Sequence, residues 1–153
     1  MRRLGVIGAG AWGTALAQVA RRAGREVGIW AREAELVTAI NRDHCNPLFL
    51  PGVALDPAIR ASGDLGEVAH ADALLLVSPA QHLRALASAL APHLREGVGL
   101  VICAKGIEVG SGRLLSEVVA ETLPAAKVAV LSGPTFAAEV ARGLPTAVTL
   151  AAH

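Results

Sequence analysis

Short apolar runs closed by glycine alternate along the chain with stretches whose apolar positions recur every three or four residues. Leu4-Gly5-Val6-Ile7 is a compact apolar run ended by Gly8, the pattern of a strand covered on both faces. Over 14–23, Leu16, Val19, Ala20 and Ala23 fall at i, i+3, i+4 and i+7, which predicts a helix with one buried stripe, stopped by Gly24. Glu26-Val27-Gly28-Ile29-Trp30 predicts a second strand, and Leu36, Val37 and Ile40 a second helix. Asn46-Pro47-Leu48-Phe49-Leu50-Pro51-Gly52 predicts a loop, followed by a short strand at Ile59-Arg60-Ala61 and a helical turn over 65–69. The second half repeats the alternation, with strands over 73–77, 99–103, 128–131 and 147–150 and helices over 81–90, 112–123 and 136–142. Strands and helices of this length in this order predict right-handed crossovers and a doubly wound, mainly parallel α/β sheet.

Composition narrows the setting. A chain of 153 residues, 53% hydrophobic and 18% charged, predicts one core and one domain over 1–153. A net charge of +1 without a Lys/Arg run argues against nucleic acid or an anionic membrane as partner. The apolar stretch after Met1-Arg2-Arg3 is broken at once by glycines and lacks a signal-peptide layout, so no membrane insertion is expected. Cys45 and Cys103 have no paired spacing, which predicts neither disulfide framework nor thiolate metal site and fits a reducing cytoplasm. A mean hydropathy of +0.49, largely from alanine, predicts apolar surface awaiting another domain or subunit. The chain runs from an apolar strand straight into Ala151-Ala152-His153, so it reads as truncated.

Gly8-Ala9-Gly10-Ala11-Trp12-Gly13 carries the first chemistry. A G-x-G-x-x-G between a predicted strand and a predicted helix is a dinucleotide-binding fingerprint. Gly8 permits the tight turn, Gly10 removes a side chain where a pyrophosphate approaches, and Gly13 lets helix and strand pack closely. The helix start offers free N–H groups and a positive dipole end to phosphate. At the end of the second strand an acidic residue would hold a ribose 2′-hydroxyl and an arginine would accept a 2′-phosphate. The chain has Trp30-Ala31-Arg32-Glu33, so Arg32 predicts that NADP(H) is accepted; the alternative is a solvated Arg32 beside a Glu33 that complements the next helix.

Lys105 ends a buried strand where ligands bind in open α/β sheets, and its ammonium is suited to polarise a carbonyl or steady an alkoxide unless it is merely a solvated loop lysine. Gly133-Pro134-Thr135 also follows a strand and opens a helix that Thr135 is placed to cap while its neighbours present N–H groups to a ligand, the alternative being capping alone. Glu139 and Arg142, three apart, predict a helix-surface pair. The five histidines have no second ligand at metal spacing, and His82 reads as a helix-start residue near the cleft. Trp12, inside the phosphate turn, has a stronger case for function than Trp30. No serine or cysteine sits in a nucleophile motif.

With the fingerprint and its Trp12, Asn46 with Phe49-Leu50-Pro51, Ala104-Lys105-Gly106-Ile107-Glu108, and the run from Leu131 through Ser132-Gly133-Pro134-Thr135-Phe136 to Ala147, the whole chain resembles the bacterial NAD(P)-dependent glycerol-3-phosphate dehydrogenases. The resemblance implies the Rossmann-type cofactor domain of an enzyme that moves hydride between NAD(P)H and dihydroxyacetone phosphate or sn-glycerol 3-phosphate, for glycerophospholipid precursor synthesis. It implies that Ala11, Trp12, Arg32, Lys105 and Ala137 meet the cofactor and that Lys105, Gly133 and Thr135 hold the substrate. The family's proton-transferring lysine and phosphate-clasping arginine and asparagine belong to a helical second domain beyond residue 153, and the full enzyme is expected as a homodimer. This chain alone is expected to be inactive. The competing readings are the cofactor domain of another ketoacid reductase and a non-catalytic dinucleotide-binding module.

Overall fold

The computed structural model describes residues 1–152; His153, the last of the five histidines, lies outside the described residues. Strand β1 (Arg3–Ile7) leads through the glycine turn into helix α1 (Ala11–Arg22), and β2 (Glu26–Trp30) returns alongside β1. Helix α2 (Ala34–Thr38) runs into a wide turn, then come a hairpin of β3 (Cys45–Asn46) and β4 (Leu50–Ala54), β5 (Arg60–Ser62) and α3 (Leu65–Ala69). The second half supplies β6 (Ala73–Leu76), α4 (Leu83–Leu90), β7 (Gly99–Ile102), α5 (Leu115–Thr122), β8 (Lys127–Ser132), α6 (Ala137–Arg142) and β9 (Thr149–Ala152).

The main sheet has the order β5-β2-β1-β6-β7-β8-β9 and is parallel throughout except for the antiparallel β8–β9 pair. Strands buried on both faces need two apolar layers, and alternation along β1 supplies them. Leu4 and Val6 join α1, α6 and the hairpin in one cluster, while Ile7 joins α3, α4 and α5 in the other. Gly5 sits where α3 packs tightly, since a Cβ there would lie 2.6 Å from the Val68 carbonyl oxygen. The chain builds outward from β1 on one side, then crosses to β6 on the other, so the carboxyl ends of β1 and β6 flank the topological switch point where ligands bind in such sheets.

Several elements differ from the sequence expectation. Helix α1 begins at Ala11 rather than 14, and Val19 and Ala23 are exposed; the buried face is the small-residue set Gly13, Ala17 and Ala20 with Ala15 and Leu16, because α1 lies close against the sheet and α6. Gly24, at a positive φ of 75°, does end the helix, donating its N–H to the Arg21 carbonyl oxygen at 2.8 Å. The 46–52 loop is part of the β3–β4 hairpin, whose Leu50 and Val53 are buried against α1 and α6 despite two prolines. The last strand lies two residues later than the expected 147–150, turns antiparallel and is exposed along its length. Thr135 does not cap α6: Phe136 holds that position without a side-chain hydrogen bond, because the Thr135 N–H turns back to the Gly133 carbonyl oxygen at 3.0 Å. Among the described residues no ion pair joins Glu139 to Arg142. No helix among them is long and apolar enough to cross a membrane.

Candidate functional site

A cleft of about 840 Å³ opens along the carboxyl ends of the central strands, a size that suits a small-molecule or cofactor site. Its floor is the glycine turn, where each glycine answers a different demand. Gly8 has φ 122°, and a Cβ there would lie 2.9 Å from the Val77 carbonyl oxygen, so only glycine lets the β1 and β6 turns meet. A Cβ on Gly13 would collide with the Gly8 carbonyl oxygen, so Gly13 acts by packing and lies outside the cleft lining. Gly10 is the reverse case, with nothing within 4 Å of its notional Cβ. That empty position at the mouth of α1 is the gap a phosphate group needs.

The first intrahelical bond runs from the Thr14 N–H to the Gly10 carbonyl oxygen at 3.0 Å, so the amides of Ala11, Trp12 and Gly13 precede it. No acidic residue stands in the first turn of α1 to compete for them. The donor set and the open space together fit a pyrophosphate.

Two side chains to which the sequence assigns no role sit at this floor. Asn46 is fully buried; its amide donates to the Ala9 carbonyl oxygen at 2.9 Å and the Thr14 hydroxyl at 2.8 Å, and its Oδ1 accepts from the Phe49 N–H at 2.9 Å. The hairpin is thereby clipped to the turn, with Phe49 on the cleft wall. An asparagine directly before the proline-bounded Leu48-Phe49-Leu50 was the available signal. Ser78, following β6, has a buried hydroxyl without a hydrogen-bond partner among the described residues, and it too lines the cleft.

The predicted residues gather as follows. Gly8, Gly10, Ala11, Trp12, Arg32, Lys105, Thr135 and Ala137 all line the cleft. Gly133 does not; it packs against the approach to β9, where a Cβ would lie 2.7 Å from the Ala147 carbonyl oxygen. Arg32 is largely exposed and makes only a loose 3.4 Å contact with Glu33, which begins α2, so its guanidinium remains available at the rim. His82 lies in the turn before α4 and also lines the cleft, while Trp30 lines it and donates its indole N–H to the Gly63 carbonyl oxygen at 3.0 Å. The Lys105 ammonium donates to the Gly133 carbonyl oxygen at 3.1 Å, which brings the two substrate-assigned segments together. Burial pushes the Cys103 thiol, also on the wall, up to about 12, which makes it inert at neutral pH. Among the described residues no group of His, Cys, Asp or Glu gathers as a metal site.

Beyond Lys105, hydrogen bonds from the Arg84 guanidinium and the Ser111 hydroxyl hold the Glu108 carboxyl at about 2, against an ordinary 4.5. A carboxyl held that low contributes stability above its unfolded value and loses it as pH falls toward the folded value. Thermal melting across acid pH is therefore expected to fall between pH 4.5 and about 2, and less steeply in Glu108→Gln; identical acid limbs would contradict the assignment.

Against known proteins, residues 3–153 match the family described as NAD-dependent glycerol-3-phosphate dehydrogenase N-terminus. A glycerol-3-phosphate dehydrogenase [NAD(P)+] of Paramagnetospirillum magneticum is 65% identical over 99% of this chain and 55% of its own length. One from Parvibaculum lavamentivorans is 65% identical over 98% of this chain and 45% of its own. The glycerol-3-phosphate dehydrogenase structure from Coxiella burnetii superposes with a TM-score of 0.91 at 35% identity, over 97% of this chain and 46% of that one. A ketopantoate reductase from Ralstonia eutropha, at a TM-score of 0.70 and 22% identity, shares the fold alone. The chain spans about half the length of the curated relatives it matches. By family match, sequence identity and superposition alike, the chain belongs to the NAD-dependent glycerol-3-phosphate dehydrogenase family and corresponds to its amino-terminal domain.

Proposed function

We propose that this cleft binds NAD(P)H and that, in the longer protein, hydride passes there between the cofactor and dihydroxyacetone phosphate or sn-glycerol 3-phosphate. The observation that carries the reading is the contrast between Gly10, open to the cleft, and Gly8 and Gly13, closed against backbone. Gly8, Gly10 and the amides of Ala11 and Trp12 receive the pyrophosphate, Gly13 holds α1 close enough for them to do so, and Ala137 meets the nicotinamide end. The nicotinamide ring, when bound, gives or accepts the hydride. Lys105 reaches both cofactor and substrate, and its ammonium favours the negative charge that grows on the ketone oxygen as it becomes an alkoxide. Thr135 offers a hydroxyl from the wall, and Gly133 offers backbone at the point where Lys105 is held.

The family resemblance assigns proton transfer to a lysine of the helical second domain, with Lys105 steadying the oxygen it protonates, so turnover in this reading needs that domain. That domain and a homodimeric partner complete the enzyme in this reading. A cytoplasmic setting follows from the reduced dinucleotide it uses and suits the free thiols of Cys45 and Cys103.

Arg32 gives the reading its cofactor selectivity. A guanidinium at the rim, facing a 2′-phosphate, supplies a charge-assisted hydrogen bond. Arg32→Ala is expected to weaken NADPH binding about tenfold while leaving NADH affinity within about twofold. Isothermal titration with both reduced cofactors measures this, and equal losses for the two would remove the assignment.

A further inference from the structure

The loop after Lys105 is fastened at more points than a surface loop needs. Gly106, at φ 115°, is a pivot immediately beyond the lysine, and a glycine pivot alone leaves the segment free to swing. Three side chains past that pivot prevent it. The Gln81 amide donates to the Ile107 carbonyl oxygen at 2.9 Å and accepts from the Val109 N–H at 2.8 Å, closing a ring across Glu108. The Arg84 guanidinium grips both Glu108 carboxylate oxygens at 2.8 Å and reaches Glu121 at 2.9 Å. Ser111 donates to Glu108 at 2.6 Å, and the Glu108 N–H donates to the Arg113 carbonyl oxygen at 2.9 Å.

An isolated surface ion pair contributes little, but a two-pronged guanidinium–carboxylate fork within a network fixes direction as well as distance. The root of Gln81 is informative. Gln81 stands between Ala80 and His82 in the turn that follows Ser78 and Pro79, and Ser78, Pro79 and His82 line the cleft. One short turn therefore forms cleft wall and grips the lysine loop.

We infer that Gln81, Arg84 and Glu108 are positioning residues that aim Lys105, on the cleft wall, toward Gly133. They touch neither ligand; they act through the backbone that carries the lysine. A lysine stem is long and flexible, and a single exposed hydrogen bond to the Gly133 carbonyl oxygen does not by itself hold it. Fixing its Cα on a clamped loop sets where that stem starts, so the ammonium samples a smaller volume around the Gly133 carbonyl oxygen. The inference rests on the role proposed for Lys105 above.

Lys105 and Lys127 are the only lysines in the chain, so amine chemistry reads the clamp directly. Brief acetic anhydride labelling followed by peptide mass spectrometry gives the two rates separately. In Gln81→Ala and Glu108→Gln, without cofactor, Lys105 is expected to label about threefold to tenfold faster than in the unaltered chain, as release of one hydrogen bond allows. Lys127, on β8, keeps its rate. Arg84→Lys, which has the charge without the fork, is expected to share the increase. Unchanged Lys105 labelling in the folded Gln81→Ala chain, whose altered side chain is exposed, overturns the clamp. A parallel arm adds NADPH to the unaltered chain: protection of Lys105 supports its place in the cleft, and absence of protection overturns that placement, whatever the cofactor-free rates show.

Discussion

Gly10→Ala is expected to leave the chain folded and to weaken NADPH binding by at least about tenfold, roughly 1.4 kcal/mol, whereas Gly13→Ala is expected to damage the fold itself. The two glycines lie three residues apart in one turn, and what a methyl group would meet at each is opposite. At Gly10 the backbone has φ −64° and ψ 179°, open to any residue, and the added carbon meets nothing within 4 Å. It projects into the space assigned to the pyrophosphate. At Gly13 the added carbon meets the Gly8 carbonyl oxygen, a backbone atom that cannot rotate away. Overpacking of that kind costs about 3 kcal/mol, and for a chain of this size lowers Tm by roughly 10 °C. Thermal melts and NADPH titrations on both variants separate the roles. A folded, tightly binding Gly10→Ala chain would remove the phosphate gap from the account.

The second large effect concerns Lys105. In a chimera in which this chain replaces the matching half of the Paramagnetospirillum magneticum relative, Lys105→Met is expected to lower kcat by about a hundredfold to a thousandfold, the range for removing one donor aimed at a developing oxyanion. Methionine keeps most of the stem's volume and removes the charge. Because the ammonium is held at the Gly133 carbonyl oxygen in an exposed contact, its loss is expected to shift Tm by only a degree or two, within the modest contribution of such bonds. Near-normal turnover would return Lys105 to the status of a loop lysine.

These residues differ in how far the sequence exposed them. The glycine turn was legible because its strand-turn-helix context is local; Gly8 and Gly13 stand against backbone and Gly10 faces open space. Lys105 and Gly133 were legible as strand ends, although their contact joins positions 28 residues apart and required the β7–β8 pairing. The start of α1 was misread because Ala11, Trp12 and Gly13 carry no apolar stripe; the helix starts there because Gly10 supplies the turn. Val19 went astray for a related reason, since periodicity ranks residues by size while this helix presses its small side chains onto the sheet. The hairpin at β3–β4 was hidden by its prolines, and its anchor Asn46 acts through partners 32 and 37 positions away. Thr135 had the composition of a cap, yet the turn back to Gly133 displaced it by one residue.

The exposed length of β9 and of Phe136 bears out the apolar surface that the mean hydropathy foretold. The hydropathy could not say where that surface would lie, because its position depends on the antiparallel turn of the final strand.

Trp12 and Trp30 both line the cleft and the chain has no tyrosine, so its intrinsic emission arises almost wholly at the candidate site. Titrating the 153-residue chain with NADPH while following that emission asks whether the glycine turn receives a dinucleotide. Saturable quenching is expected, with energy passing to the reduced nicotinamide and a much weaker response in Gly10→Ala. Emission that stays constant after correction for NADPH absorbance would contradict it.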